Sequence, residues 1–204
     1  MPSILEKLKS EYKNKREKIV NRLTEFKKGN ISDELFFCLL TPQSKAKICW
    51  DALLKIKEKN LLFKGTKKQL QNCLQGIRFN KNKSEYIVEA RKKLKMIEDM
   101  VKKNFKNPEK IREWLVKNIK GLGYKEASHF LRNIGLGENI AILDRHILKN
   151  LKRFKVIKEI PAFISPRKYL EIENKMKLFS KKIKIPVSHI DLLFWSKETG
   201  EIFK

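Results

Sequence analysis

Apolar residues recur along this chain at helical spacing, with charged residues filling the intervals. From Ile4 to about Phe26, the side chains of Leu5, Leu8, Tyr12, Ile19, Leu23 and Phe26 fall near one face of a 3.6-residue period. Gly29-Asn30 closes that segment, and Ser32-Asp33 reads as the cap of a second helix, Glu34 to Leu40. Thr41-Pro42 breaks it. A further helix is expected from Ser44 to Lys57, and from Ser84 onward Tyr86, Ala90, Leu94, Ile97 and Val101 form an apolar stripe. Asn107-Pro108 opens a helix with Ile111, Trp114, Leu115 and Ile119 inward, and Lys125 to Asn133 follows a glycine turn. Another helix begins near Asp144. Ser165-Pro166 opens one with Tyr169, Ile172, Met176 and Phe179 inward, and Pro186 opens the last, where Ile190, Leu193 and Phe194 are apolar. No run alternates at period 2 between hairpin turns. The pattern predicts an all-α chain of roughly ten helices, without internal repeats or a low-complexity linker, and so a single compact unit over residues 1–204.

Composition narrows what such a fold does. The 204 residues include 48 Lys and Arg against 23 Asp and Glu, a net charge of +25. A field of that sign draws polyanions, which makes nucleic acid the first partner and an anionic membrane surface the second. No window approaches 18 uncharged apolar residues, so no membrane span is expected. The first residues, Met1-Pro2-Ser3-Ile4-Leu5-Glu6-Lys7, lack the apolar core of a secretory signal. Cys38, Cys49 and Cys73 are odd in number, widely spaced and form no CxxC pair. They read as buried thiols of a reducing compartment, and the chain is expected in the cytoplasm, at the nucleoid of a prokaryote. His129, His146 and His189 show no metal-ligand spacing, so neither a metal nor a cofactor is expected.

The chemistry-bearing stretch is Lys120-Gly121-Leu122-Gly123-Tyr124-Lys125, which runs into Ala127 to Ile134 and is followed by Leu143-Asp144-Arg145-His146. A helix, a short G-x-G turn and a second helix present backbone N–H groups at the second helix's N-terminus. Those donors and the helix dipole bind a phosphate without reading base sequence. Ile119 before the turn, and Ala127, Phe130 and Leu131 after it, let the two helices pack as a hairpin. Taken alone, the turn also fits a plain helix–helix corner, Lys125 a phosphate-binding lysine, and Asp144 the N-cap of the helix it precedes.

Residues 119–146 resemble the helix–hairpin–helix and Gly/Pro/Asp-loop signature of the HhH-GPD DNA glycosylase superfamily. The hairpin lies at approximately 111–134 and the Asp-containing loop at 135–146. Lys125, with Asp144 19 residues later, is similar to the pair in bifunctional members. Leu143-Asp-Arg-His-Ile-Leu, Asp191-Leu-Leu-Phe-Trp and Thr199-Gly-Glu-Ile-Phe-Lys204 extend the likeness to the type-2 8-oxoguanine DNA glycosylases of archaea and some bacteria. The resemblance implies two helical lobes and a monomer that acts on double-stranded DNA containing oxidised guanine.

It also implies roles. Lys125 would be the amine that attacks the sugar C1′, which requires its neutral form, and Asp144 the carboxylate that stabilises an oxocarbenium-like transition state. Gly121, Gly123 and Tyr124 would contact DNA. His146, two residues after Asp144, either contacts phosphate or caps its helix, and Arg78, Lys81 and Lys83, near Phe79, read as DNA-backbone contacts or wedge-loop residues. The lesion must leave the duplex to be reached. Trp195 and Phe79 would stack on the flipped base. Asp191, four residues before Trp195 and so on the same helical face, can accept from a guanine-type edge. His129, one turn beyond Lys125, either lines that site or is a structural histidine. In the type-2 branch the group that senses the lesion's N7–H is a C-terminal carboxylate on a final lysine, here Lys204. Three rival readings stay open: another damaged base as substrate, a non-catalytic hairpin module, and a basic RNA-binding protein that would leave the Lys125/Asp144 pair unexplained.

Overall fold

The computed structural model describes residues 3–203. Its helices are α1 (Ile4–Phe26), α2 (Ile31–Leu40), α3 (Ala46–Glu58), α4 (Leu61–Lys64), α5 (Lys67–Cys73), α6 (Asn80–Arg91), α7 (Leu94–Asn104), α8 (Pro108–Asn118), α9 (Tyr124–Asn133), α10 (Arg145–Arg153), α11 (Pro166–Ile183) and α12 (Val187–Thr199). The described residues contain no strand, as the periodicity predicts, but twelve helices rather than roughly ten. Two that the pattern does not show are α4 and α5, four and seven residues long, too short to express a 3.6-residue period. The apolar stripe from Ser84 to Val101 runs over two helices, interrupted at Lys92-Lys93.

Side-chain caps set half of the twelve helix starts. Ser3, Thr66, Asn107, Asp144 and Ser165 each accept a backbone N–H of the helix they precede. The start of α2 corrects the sequence expectation. Asn30, not Ser32-Asp33, is the cap, its Oδ1 accepting from Ser32 N at 3.0 Å and Asp33 N at 3.1 Å. Capping from Asn30 satisfies the N–H groups of Ser32 and Asp33 themselves and starts the helix three residues before Glu34.

The described residues divide into two compact units, one comprising residues 29–134 and the other the described parts of 1–28 and 135–204. In the first, α2 packs against α3, α6 and α9, and Leu35 through Leu40 are all fully buried. A helix apolar on every side belongs at a centre. Its one buried carboxylate, Glu34, accepts from Asn133 Nδ2 at 2.8 Å. In the second unit, α12 packs against α1, α10 and α11, burying Ile190, Leu192, Leu193 and Phe194. Phe154 stacks on Phe194, ring centroids 5.4 Å apart. No helix among the described residues is long and apolar enough to cross a membrane.

Candidate active site

The glycine turn joins α8 to α9 within the first unit, and the two helices pack on each other. Ile119 and Leu122 are buried on either side of the turn. Gly121 has φ +90°, in the region open to glycine, and a Cβ there would stand 2.4 Å from Tyr86 Cδ2. The turn is therefore keyed to α6. Gly123 is different. Its φ is −90°, and it serves as the N-cap of α9 without offering a side-chain acceptor. The first N–H groups of α9 are thus left without a side-chain cap, the arrangement that suits an external anion.

Lys125 is the second residue of α9, its side chain about one quarter exposed, 3.7 Å from Glu126 Oε1. Tyr124 turns back onto α8, donating to Glu113 Oε2 at 2.6 Å with Arg112 5.4 Å from its ring centroid. Burial, then the Glu113 hydrogen bond, push its phenol up to about 12. The Tyr124 hydroxyl thus staples the hairpin. His129 is buried one turn beyond Lys125, edge-on to Phe37 at 5.6 Å between ring centroids.

Phe79 is 54% exposed in a left-handed conformation, φ +59°, immediately before α6. Arg78 lies 5.6 Å from its ring centroid and donates its backbone N–H to Ser44 Oγ at 3.2 Å. That places Phe79 and the turn between α2 and α3, where exposed Gln43 is also left-handed at φ +54°, in one hydrogen-bonded assembly. Lys83 is the correction here. The sequence suggests a surface contact to the DNA backbone, whereas Lys83 is only 2% exposed. Its Nζ donates to Leu40 O and Pro42 O, both at 2.7 Å, and to Ser44 Oγ at 3.1 Å. Burial pushes its ammonium down to about 8. No periodicity signals such a lysine, because its partners are backbone carbonyls 41 and 43 residues away.

The second unit carries the remaining candidates. Asp144 is the N-cap of α10, its Oδ1 accepting from His146 N and Ile147 N at 2.8 Å each. The capping reading is therefore correct, and it leaves Oδ2 outside the cap. His146 is half-buried, its Nε2 3.5 Å from Arg145 Nε. Asp191 is buried on α12, and Trp195, one turn on, is half-buried. Lys204 lies outside the described residues. The first unit thus holds Lys125, His129, Gly121, Gly123, Tyr124, Arg78 and Phe79, and the second Asp144, His146, Asp191 and Trp195.

Comparison with known proteins places the whole chain. The family profile of 8-oxoguanine DNA glycosylases matches residues 4–185, most of both units. The chain belongs to the 8-oxoguanine DNA glycosylase family. A relative from Fusobacterium nucleatum, an 8-oxoguanine DNA glycosylase/AP lyase, is 49% identical, the alignment covering 96% of this chain and 99% of that one. Another glycosylase/AP lyase of the family, from Methanocaldococcus jannaschii, is 40% identical over 98% and 97% of the two chains. The crystal structure of the M. jannaschii glycosylase/lyase with a 15mer DNA containing 8-oxoguanine superposes with a TM-score of 0.88, at 39% identity over 97% and 98% of the chains. The Thermotoga maritima family member gives 0.89 at 33% identity, covering 98% of each chain. The family profile stops before α12, which carries Asp191 and Trp195.

Proposed function

We propose that this chain is a bifunctional DNA glycosylase and AP lyase that removes 8-oxoguanine from duplex DNA. The observation that carries the reading is its likeness to glycosylase/AP lyases over nearly the full length of both chains. The geometry supports the roles within each unit. The uncapped start of α9 takes a DNA phosphate without base preference. The neutral Lys125 amine attacks C1′, the C1′–N9 bond breaks, and the base leaves with the bonding pair and takes up a proton. Loss of the amine proton and opening of the sugar ring give a Schiff base. Abstraction of a proton from C2′ then expels the 3′ phosphate by β-elimination, and water releases the enzyme. The transition state of the first step is oxocarbenium-like, and the Asp144 carboxylate offsets its charge. This chemistry needs no metal or cofactor.

Trp195 and Phe79 supply stacking faces for an extruded base and its neighbours, and the buried Asp191 carboxylate an acceptor for a guanine-type edge. His129 supports the site from beneath Lys125, and Arg78 and His146 contact the backbone. We further propose that the enzyme acts as a monomer, in the compartment that holds the chromosome. A duplex carrying one 8-oxoguanine tests the activity. Free 8-oxoguanine and a nicked strand ending in an unsaturated 3′ aldehyde are expected, while an undamaged duplex stays intact. No released base, or equal release from the undamaged duplex, would remove the proposal.

A further inference from the structure

The segment that delivers Asp144 has no regular structure, yet Ile140, Ala141, Ile142 and Leu143 are all at least 95% buried. A buried, irregular backbone must find partners for its polar groups outside any helix ladder. Here two side chains of α11 supply them. Glu173 Oε2 accepts from Ala141 N at 2.9 Å. The Tyr169 hydroxyl donates to Ala141 O at 2.7 Å and accepts from Leu143 N at 3.2 Å. Tyr169 and Glu173 are four residues apart, so they project from one face of α11.

We propose that Tyr169 and Glu173 are positioning residues for the Asp144 carboxylate, holding the segment before it as the α10 cap holds it from behind. The inference rests on the reading of Asp144 as the transition-state carboxylate, and it concerns two buried side chains, 3% and 2% exposed.

The grip is itself anchored. Ser165 caps α11, accepting from Lys168 N at 3.2 Å, and Tyr169 N donates to Ser165 O at 2.8 Å, fixing the turn that carries the phenol. Lys177 Nζ lies 3.5 Å from Glu173 Oε1, leaving Oε2 for Ala141. Asp144 N donates to Ile142 O at 2.9 Å, a tight turn that transmits the position of residues 141–143 directly to the next residue. A charge-stabilising group acts only where charge develops, and a misplacement of about 1 Å costs on the order of a hundredfold in rate. Two hydrogen-bonding side chains spent on the backbone just before that group give it such placement.

The test is a double-mutant cycle on single-turnover base release from an 8-oxoguanine duplex. Tyr169→Phe in the wild-type background is expected to slow release at least about tenfold, with duplex affinity changed less than about twofold. In an Asp144→Asn background the same substitution should change the rate by less than about twofold, because the group it positions is gone. An equal fold-loss in both backgrounds, or none in either, overturns the inference by showing that Tyr169 does not act through Asp144. If Asp144→Asn alone keeps the full rate, the reading of Asp144 fails and the inference falls with it, a distinct result. Should Tyr169→Phe lack the helical signal of the folded protein, Glu173→Asp, which withdraws the carboxylate from Ala141 N by one methylene, replaces it in the same cycle.

Discussion

Lys83 offers a prediction in which sign and size both follow from geometry. Its ammonium is buried, hydrogen-bonded to Leu40 O, Pro42 O and Ser44 Oγ, and held down to about 8 by burial. In the unfolded chain a lysine titrates near about 10.4. The folded state therefore binds this proton less tightly, and between those two values the unfolded state carries more protons. Stability then rises with pH in that window. Below pH 8 both states hold the proton and the contribution is flat; integration from pH 8 to pH 10 gives about 2 kcal/mol. Lys83→Gln removes this titration. It also removes donors to buried acceptors, each worth about 1–3 kcal/mol when stranded, of which the Gln amide can replace one or two. The variant should thus be less stable at pH 7, and its deficit should widen by about 2 kcal/mol as pH rises from 8 to 10. Urea unfolding of both proteins at half-unit intervals measures the difference directly. A deficit that stays constant, or narrows with pH, would refute the reasoning and place the lysine proton in water.

Three further outcomes are expected. Gly121→Ala should cost about 2–4 kcal/mol in urea unfolding, combining positive-φ strain with the displaced Tyr86 ring, whereas Gly123→Ala, at negative φ, should cost less than half as much; equal losses would mean the turn is not keyed to α6. Phe79→Ala should weaken duplex binding by about 1–3 kcal/mol with little change in melting temperature, since the ring is 54% exposed; an unchanged affinity would remove its stacking role. A thiol reagent at pH 8 should modify half-buried Cys73 well before Cys38 or Cys49, because burial raises the Cys38 thiol strongly and pushes Cys49 up to about 11; comparable rates would contradict that burial.

What the sequence displays is what is local. The reach of α1 followed from its period alone, and the starts of α11 and α12 were readable because Ser165-Pro166 and Pro186 sit beside an apolar period. Asp144 is legible as an N-cap for the same reason. Less visible was the start of α2, where Asn30, Ser32 and Asp33 compete and only the backbone path decides among them. The partners of Lys83, Tyr169 and Glu173 were not visible, although Tyr169 reads correctly as an inward residue of α11. Lys83 is a basic residue among 48, and the other two sit on an ordinary amphipathic face. Their significance comes from carbonyls and amides tens of residues away, and a backbone group has no side-chain signature to read. Even for the recognised hairpin, sequence could not separate its glycines. Gly121 is required by conformation and by Tyr86, whereas Gly123 keeps the α9 N-terminus free of a competing side-chain cap.

The central claim, an amine at Lys125 that joins covalently to the sugar, is tested most directly by borohydride reduction during turnover. Wild type and Lys125→Gln would each be incubated with an 8-oxoguanine duplex and borohydride, then resolved on a denaturing gel. A protein–DNA adduct is expected with wild type and none with Lys125→Gln, although the variant still binds the duplex. An adduct of equal yield with Lys125→Gln would move the nucleophile to another amine. No adduct with wild type, under conditions where base is released, would contradict the Schiff-base chemistry itself.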